Sequence, residues 1–475
     1  MLARKLGPRF FSAFGLKPEA SWNSVATECT DAMVKQNIIS YLTWTIYLIL
    51  MMCIGSTFAL RRVFSLGRMC NSGSSVSCSR RYAFADVELL SKLPSLDLSK
   101  PEPMAGKDSL LTMTYDQLTE VLGGSGKAKL FWELLKRGDD PLSPNIEGAL
   151  SQKARNALSA YCTGFSEENE LLTTEVSEET LSECGTRKFL QRCKRDGGEI
   201  ESVLIPSQKF DRTTLCVSTQ IGCDRGCKFC LTGTMGFIRN LSADEIVSQV
   251  LLGRRLVKEG GMPELTNVVF MGMGDAGRNL DEVEKAARTL VDRQRMGMAA
   301  SKVTISSVGP TPETFMRLAS IPGTMAWSLH SPNDAVRKAL VPSTRHTTVE
   351  LRDGLVAALA ARESLRTRTI MIACTLIAGI NDGPEDARAL AAFVRPVFDT
   401  APKVALDLIP YNDISVPGLD FRPPEDHKVK EFTDVLRSEG IFCAVRMPRG
   451  RKDSAACGQL ATKTKRAQAA HIINI

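Results

Sequence analysis

Most of this chain has no excess of either charge. The 475 residues include 60 Lys and Arg against 53 Asp and Glu, a formal net charge of +7. Residues 1–85 hold 10 of the basic residues and 3 of the acidic ones, so the whole excess lies there and residues 86–475 are neutral. Bulk charge therefore gives no reason to assign nucleic-acid binding to the folded part, and such an assignment must depend on a local patch.

Histidine is also scarce, with 4 residues against 14 cysteines. Three of the cysteines, Cys223, Cys227 and Cys230, stand so close in sequence that they suit a shared metal better than disulfides with one another. This favours a reducing compartment. A structural zinc ion would need a fourth Cys or His at compatible spacing. The nearest, Cys216 and His330, form no known zinc pattern, so zinc is the weaker alternative.

The N-terminal segment lacks acidic residues between Asp31 and Asp86, and lacks any charge between 38 and 60. Residues 33–60 have the parts of a signal peptide in the right order: a basic start, an apolar run and a cleavage zone of small residues. Residues 61–85 are rich in Arg and Ser, as transit peptides are. Together they form a leader, 1–85, of the two-step kind that resembles those of algae whose plastids lie inside extra membranes. We therefore predict a plastid (chloroplast) stroma location and a mature protein that is not embedded in a membrane.

Two other destinations stay open. The apolar run is long enough to cross a bilayer at ~1.5 Å per residue, so a retained membrane anchor is one alternative. A mitochondrial presequence is the other, although the apolar run is unusual for it. The first 32 residues are also consistent with an over-extended gene model.

The rest of the chain predicts an α/β protein. Residues 86–104 are a Pro-containing linker. Residues 105–165 predict a small helical N-terminal domain, with an RNA-accessory role, that opens on a capping box at Thr114 and Gln117. Residues 166–210 predict a β-hairpin extension that turns at Gly197-Gly198. Residues 211–465 alternate strand and helix and predict a partial (β/α)6 barrel with its site at the carboxyl ends of the strands; 466–475 are a tail.

The three cysteines can bind three irons of one [4Fe–4S] cluster and leave the fourth iron open, which marks a catalytic centre. Their spacing, with Phe229 just before the third cysteine, resembles the radical SAM superfamily. That resemblance implies S-adenosylmethionine (SAM) bound at the open iron and cleaved to a 5′-deoxyadenosyl radical.

A closer resemblance covers about residues 105–465. The segments 215–230, 271–275, 328–334, 408–412 and 446–460, in this order, resemble the RlmN/Cfr family of radical SAM RNA (adenosine-C2) methyltransferases. The resemblance implies one cluster and two SAM molecules per turnover. It implies rRNA and/or tRNA as substrate, and an electron donor such as flavodoxin or ferredoxin. We expect a monomer.

The family's functional residues fall on matching positions of this chain. The resemblance implies that Cys457 carries the methyl group, that Cys216 forms a transient disulfide with it, and that Glu201 accepts a proton. The positions that it implies for the SAM site are Gly274, Asp275, Ser306, Ser328, Leu329, His330 and Asn412. The chemistry agrees, because adenine C2 is electron-poor and needs a radical route, a carrier thiol, a displacing thiol and a base.

Taken singly, these residues have ordinary explanations. Cys216 lies between Leu215 and Val217, as a buried structural thiol would, and Cys457 follows two alanines, as in a helix core. Glu201 alone would be a surface strand residue and His330 a core histidine. Only the occurrence of all four residues together in their family motifs favours a functional role for each. The cysteines at 162, 184, 193, 374 and 443 are interpreted as structural.

Two features qualify the resemblance. Where the family usually has Glu-Pro, this chain has Asp275-Ala276, with a shorter carboxylate and no rigid proline; Ser331 replaces the more usual Ala. The alternatives are therefore a diverged paralogue that methylates another RNA adenosine position, or a non-catalytic RNA-binding or ribosome-assembly protein. The predicted phosphate-binding patch surrounds Cys457 and comprises Arg446, Arg449, Arg451, Lys452, Lys463, Lys465 and Arg466.

Overall fold

The computed structural model describes residues 109–161, 171–414, 420–446 and 456–460. The leader, the linker and most of the basic patch around Cys457 lie outside these ranges, so the predictions made for them stay predictions. Within the described ranges, no helix has both the length and the apolar character needed to cross a membrane.

The N-terminal helices begin where the sequence predicted them. They are α1 (Tyr115–Leu122), α2 (Ser125–Arg137) and α3 (Gln152–Ser159). The capping box at Thr114 is confirmed: its hydroxyl accepts from the Gln117 N–H, and the Gln117 side chain accepts from the Thr114 N–H. Arg295, from the barrel, donates to the Met113 carbonyl at 3.2 Å and so ties this module to the rest.

Three antiparallel strands follow in the described residues, and the predicted hairpin is formed by the second and third of them. They are β1 (Thr174–Leu181), β2 (Arg187–Cys193) and β3 (Glu199–Ser207). The turn at Gly197-Gly198 is confirmed, with Gly197 at a φ of +73°. β3 also pairs with β4 (Arg212–Cys216), so the extension is continuous with the main sheet.

The cysteine loop leaves this sheet. After β4 the chain forms a separate antiparallel pair, β5 (Gln220–Cys223) and β6 (Gly236–Asn240). The three cysteines of the loop lie at the end of β5 and in the connection to β6, which contains one helical turn, Leu231–Thr234.

Parallel strands complete the main sheet. They are β7 (Leu265–Phe270), β8 (Val303–Ser307), β9 (Thr324–Ser328), β10 (Thr369–Leu376), β11 (Lys403–Pro410) and β12 (Cys443–Val445). The strand order is β1-β2-β3-β4-β7-β8-β9-β10-β11-β12, and every neighbouring pair from β4 onward is parallel. Within the described part of the chain this sheet is open at both edges.

Seven helices connect the parallel strands. They are α4 (Ala243–Glu259), α5 (Leu280–Val291), α6 (Pro312–Ser320), α7 (Asp334–Leu340), α8 (Thr348–Ala360), α9 (Pro384–Thr400) and α10 (Asp426–Ser438). They make six strand–helix units from β4 to α10, which confirms the predicted (β/α)6 class. The sequence analysis missed α7, α10 and β12. From the sequence, α9 was predicted to end before Pro396. The helix continues through Pro396, because Val394 and Val397 stay buried on either side of it.

Side-chain alternation sorts the central strands into two faces. Leu215 points at α4, since a Cβ added to Gly253 would lie 2.9 Å from its Cδ2. Cys216, the next residue, therefore points to the opposite, inner face. Val203 pairs with Cys216, so Glu201, two residues along β3, shares that inner face.

Candidate active site

The cysteine loop is held by close backbone contacts. Gly222 has a φ of +72°, and a Cβ there would lie 1.9 Å from the Gly236 carbonyl oxygen, so β5 and β6 can approach only at a glycine. Cys223 and Cys227 are buried and Cys230 is partly buried.

The three thiols interact electrostatically with one another in a desolvated place. Burial raises the pKa of Cys223 to about 12 and raises the pKa values of Cys227 and Cys230 as well, and the neighbouring thiols add to each shift. Buried thiols of this kind ionise when a metal supplies the opposing charge.

The described residues contain no group of three or more His, Cys, Asp or Glu side chains placed to hold a single metal ion. An iron–sulfur cluster makes a different demand, because each cysteine binds a different iron and the thiols stand further apart than the ligands of one ion do. Three free thiols on one loop, with no fourth cysteine ligand from that loop, fit a cluster with an open iron.

Asp275 places an unpaired carboxylate oxygen beside these thiols. Its side chain is buried; Oδ1 accepts from the Gly277 N–H at 3.3 Å, while Oδ2 has no hydrogen-bond partner and lies 4.0 Å from Arg225 Nε. Burial raises the pKa of this carboxyl, and its charge contributes to the shifts of Cys223 and Cys227. A buried acceptor without a donor next to a cluster loop fits the ammonium group of SAM.

The strand-end loop before Asp275 packs closely against β5 because Gly274 has no side chain. Gly274 has a φ of +105°, and a Cβ there would lie 2.7 Å from the Gln220 side chain. Gln220 in turn accepts from the Asp275 N–H at 2.9 Å. The loop is thereby fixed against β5.

The next two strand ends supply hydroxyl groups. The side chain of Ser306 lies next to that of Ser328, with the two Oγ atoms 3.3 Å apart. Leu329 is fully buried, and its N–H donates to the Ala373 carbonyl at 3.0 Å. Its carbonyl accepts from Arg337, so both main-chain polar groups are engaged and the SAM-site role of Leu329 stays a prediction.

His330 is held in a strained conformation. Its φ is +65°, which a non-glycine residue adopts only under constraint. The Asn381 amide donates to the His330 carbonyl at 2.8 Å, and the Thr375 N–H donates to Nδ1 at 3.3 Å. Burial lowers the pKa of this imidazole to about 3, so it is neutral. Its ring lies 4.4 Å from that of Phe229 and so joins the SAM-side strand end to the cysteine loop.

Arg337 was missed by the sequence analysis. This side chain is fully buried and donates to the main-chain carbonyls of Val308, Ser328 and Leu329. It therefore fastens the ends of β8 and β9 together. Its charge also contributes to the environment of Cys227, where it opposes the rise in the thiol pKa. An arginine beside Lys338 on a short helix has no sequence signal that distinguishes it from a solvent-exposed one.

The Cys457 segment is docked on the cysteine loop. The Leu231 N–H donates to the Gly458 carbonyl at 2.7 Å, and Thr232 Oγ1 donates to the Leu460 carbonyl at 2.6 Å. From the barrel, Asn412 Nδ2 donates to the Cys457 carbonyl at 3.1 Å. Cys457 itself is exposed rather than in a helix core.

Cys216 and Cys457 are close enough to interact electrostatically. Burial, and then the nearby Cys457 thiol, raise the pKa of Cys216 to about 12. Both are free thiols. Arg446 also faces this pair, since both thiols contribute to its raised pKa, but its guanidinium pairs with Asp407 at 2.7 Å. Of the predicted phosphate-binding patch, Arg446 is the member that the structure describes, and it is already engaged.

Glu201 is not a surface strand residue. It is buried and pairs with the equally buried Lys188 at 3.4 Å. It lies on the same inner face as Cys216, one strand away, as the register of β3 and β4 requires. The sequence analysis had no signal for Lys188 as its partner.

The comparisons with known proteins agree with this geometry. The Radical SAM superfamily matches residues 217–391. A dual-specificity RNA methyltransferase RlmN from Sorangium cellulosum is 38% identical over 353 residues, which cover 67% of this chain and 86% of that protein. The chain belongs to the RlmN family of radical SAM RNA methyltransferases. A probable RlmN from Synechocystis is 42% identical over 282 residues, covering 59% of this chain and 75% of that protein.

A solved structure supports the same family assignment. A radical SAM methyltransferase from Sphaerobacter thermophilus has a TM-score of 0.64 and 32% identity, with 74% of this chain and 99% of that one covered. The RlmN-family resemblance predicted from the motifs is therefore confirmed. The roles assigned to single residues remain predictions that the site geometry makes specific.

Replacing Arg337 by Met should lower the free energy of unfolding by about 3 kcal/mol, because the buried carbonyls of Val308, Ser328 and Leu329 would lose a charged donor. Urea unfolding measures this. Lys338→Met, an exposed change on the same helix, is the control, and equal stability of the two variants would contradict the role given to Arg337.

Proposed function

We propose that this RlmN-family protein methylates carbon 2 of an adenosine in large-subunit rRNA and/or tRNA of a plastid. The observation that carries the proposal is the docking of Cys457 between Asn412 and the cysteine loop, with Cys216 beside it. A thiol carrier must meet both the radical source and a second thiol, and the contacts of the Cys457 segment with the cysteine loop support such a meeting. One relative is named a dual-specificity RNA methyltransferase, which supports more than one RNA substrate.

The cofactor sites follow from the same residues. Cys223, Cys227 and Cys230 would hold one [4Fe–4S] cluster, and Asp275 Oδ2 would accept from the ammonium group of SAM. When bound, the cluster and SAM supply a 5′-deoxyadenosyl radical, for which flavodoxin or ferredoxin would provide the electron. Gly274, Ser306, Ser328, Leu329 and His330 would shape the rest of the SAM pocket.

Each of three residues, Cys457, Glu201 and Cys216, would carry out a different step of the reaction. Cys457 takes the methyl group of a first SAM as a thioether and releases S-adenosylhomocysteine. Once the radical supplied by a second SAM has taken one hydrogen atom from that methyl group, the methylene carbon would bond to adenine C2. Glu201 would accept the C2 proton, and the one surplus electron of the adduct would pass to the oxidised iron–sulfur cluster that Cys223, Cys227 and Cys230 would hold. Cys216 attacks the sulfur of Cys457, so a disulfide forms, the carbon–sulfur bond breaks and the methyl group takes a proton. A thiol reductant resets the pair.

Cys457→Ala should abolish methylation, because no carrier thiol remains. Cys216→Ala should instead accumulate a covalent protein–RNA adduct, since the bond to Cys457 forms and is not displaced. Anaerobic incubation with rRNA or tRNA, SAM and a reductant, followed by nucleoside mass spectrometry and denaturing electrophoresis, measures both results.

Cys184→Ala is the matched control, because Cys184 is exposed like Cys457 but lies on the antiparallel extension. Methyladenosine from Cys457→Ala at the wild-type yield would exclude the carrier role. A wild-type protein that binds RNA and yields no methyladenosine would favour the non-catalytic assembly protein, and methylation at another carbon would favour the diverged paralogue.

Asp275→Glu should keep activity similar or higher, because it restores the carboxylate that the family usually has and extends the unpaired oxygen toward the ligand. Binding of SAM to the reconstituted protein and methylation rate are the two measurements. A large loss of SAM binding would mean that this pocket is built around the shorter side chain.

The plastid location is a separate part of the proposal. Residues 33–100 fused to a fluorescent protein should enter the plastid of an alga with extra plastid membranes, and fluorescence microscopy scores this. Retention in the endoplasmic reticulum or at the cell surface would favour a retained membrane anchor. Fluorescence in the mitochondrion would favour a mitochondrial presequence.

A further inference from the structure

A basic cavity lies at the opposite end of the sheet from the cysteine loop. Its volume is about 640 Å³, and it opens between the end of α2, the C-terminal half of α4, the start of β7 and the loop before β8. One carboxylate, Glu264, lines it. Its basic residues are Lys136, Arg137, Arg254, Arg293 and Lys302.

Most of these cations have no acidic partner. Arg137 pairs with Asp139 at 3.2 Å. For the remaining four, no carboxylate comes within ion-pair distance among residues that the structure describes. Among the described residues that line the cavity Glu264 is the one carboxylate, and Glu133 and Asp292 act on Lys136 from outside the lining. The lining itself thus keeps a net positive charge in a chain whose residues 86–475 are neutral overall.

Arg254 and Lys136 form the inner part of the cavity. Arg254 Nη1 donates to the Lys136 main-chain carbonyl at 3.2 Å, and Arg254 Nε is buried with no hydrogen-bond partner. The Lys136 ammonium reaches the other wall, 3.8 Å from where a Cβ of Gly297 would lie. Burial lowers the pKa of Lys136, and the neighbouring Arg254 charge lowers it further. Like charges are thus held together where an anion would relieve their repulsion.

The cavity is too far from the reacting site to hold the same nucleotide. β7 begins at the cavity with Leu265 and ends at the loop that leads to Asp275. Six residues of strand span about 20 Å. A ligand here therefore binds separately from SAM and from the target base.

We propose that this cavity binds a phosphate group, through the guanidinium groups of Arg254 and Arg293 and the ammonium groups of Lys136 and Lys302. Guanidinium pairs match phosphate oxygens, and four cations suit either a doubly charged free phosphate or successive singly charged phosphodiesters. The phosphate belongs either to the backbone of a bound RNA or to a free phosphoanion.

Charge reversal at the cavity tests the proposal. In the wild-type full-length protein, inorganic phosphate should raise the thermal midpoint by about 3 °C relative to chloride at equal ionic strength. Arg293→Glu and Lys302→Glu should each remove most of this rise. Arg366→Glu, the same reversal at an exposed loop before the amino end of β10, should leave it unchanged.

A second measurement distinguishes the two phosphate sources. With unmodified tRNA as the probe, the slope of log affinity against log salt should fall by about 1 in either cavity variant if the phosphate is that of RNA. An unchanged slope with a lost phosphate rise identifies a free phosphoanion. The same phosphate rise in Lys302→Glu, Arg293→Glu and wild type would overturn the proposal, whatever the outcome of the methylation assays.

Discussion

The contact between two distant loops is the interaction on which the site depends. Leu231, just after the third cluster cysteine, donates to the Gly458 carbonyl, and Gly458 passes so close to Phe229 that a Cβ would lie 2.9 Å from its carbonyl oxygen. At a φ of +84° this position favours glycine on both counts. Together with the hydrogen bonds from Asn412 to Cys457 and from Thr232 to Leu460, the contact fixes the position of Cys457 relative to the cysteine loop.

Buried charge gives the site its second constraint. Asp275 keeps one carboxylate oxygen without a hydrogen-bond donor, with Arg225 Nε 4.0 Å away. In a low-dielectric interior, a carboxylate oxygen that lacks a donor is costly and is retained where a ligand satisfies it. Arg337 donates from both terminal nitrogens to the main-chain carbonyls at the strand ends that it joins, while its Nε has no hydrogen-bond partner.

Much of the fold could be predicted because its signals are local. The capping box at Thr114, the glycine turn at 197–198 and the alternation of strand and helix after β4 each depend on a few neighbouring residues. Cys223, Cys227 and Cys230 could be predicted as cluster ligands for the same reason, since their spacing lies within one loop. The order of the motifs along the chain then predicted roles for Cys216 and Cys457, which no local rule distinguishes from structural thiols.

The contacts that could not be predicted from the sequence join residues that are far apart along the chain. Lys188 beside Glu201, the unpaired oxygen of Asp275 and the three carbonyls on Arg337 exist only once strands pair and helices cover them. Helix α9 continued through Pro396 for a similar reason, because tertiary packing outweighed the loss of one N–H. The basic cavity likewise joins residues from 136 to 302, whose positive charges look like solvated side chains when each is seen alone.

The join between β3 and β4 has a consequence for how this protein can change over evolution. Glu201 and Cys216 face the same way only because Val203 stands opposite Cys216 in an antiparallel pair. A deletion of one residue within β3 would turn one of them toward α4, whereas a change of two would preserve the facing and move the carboxylate by one strand repeat. A change in the length of β3 therefore preserves the shared face only in steps of two, and the distance between the Glu201 carboxylate and the Cys216 thiol changes in the same increments.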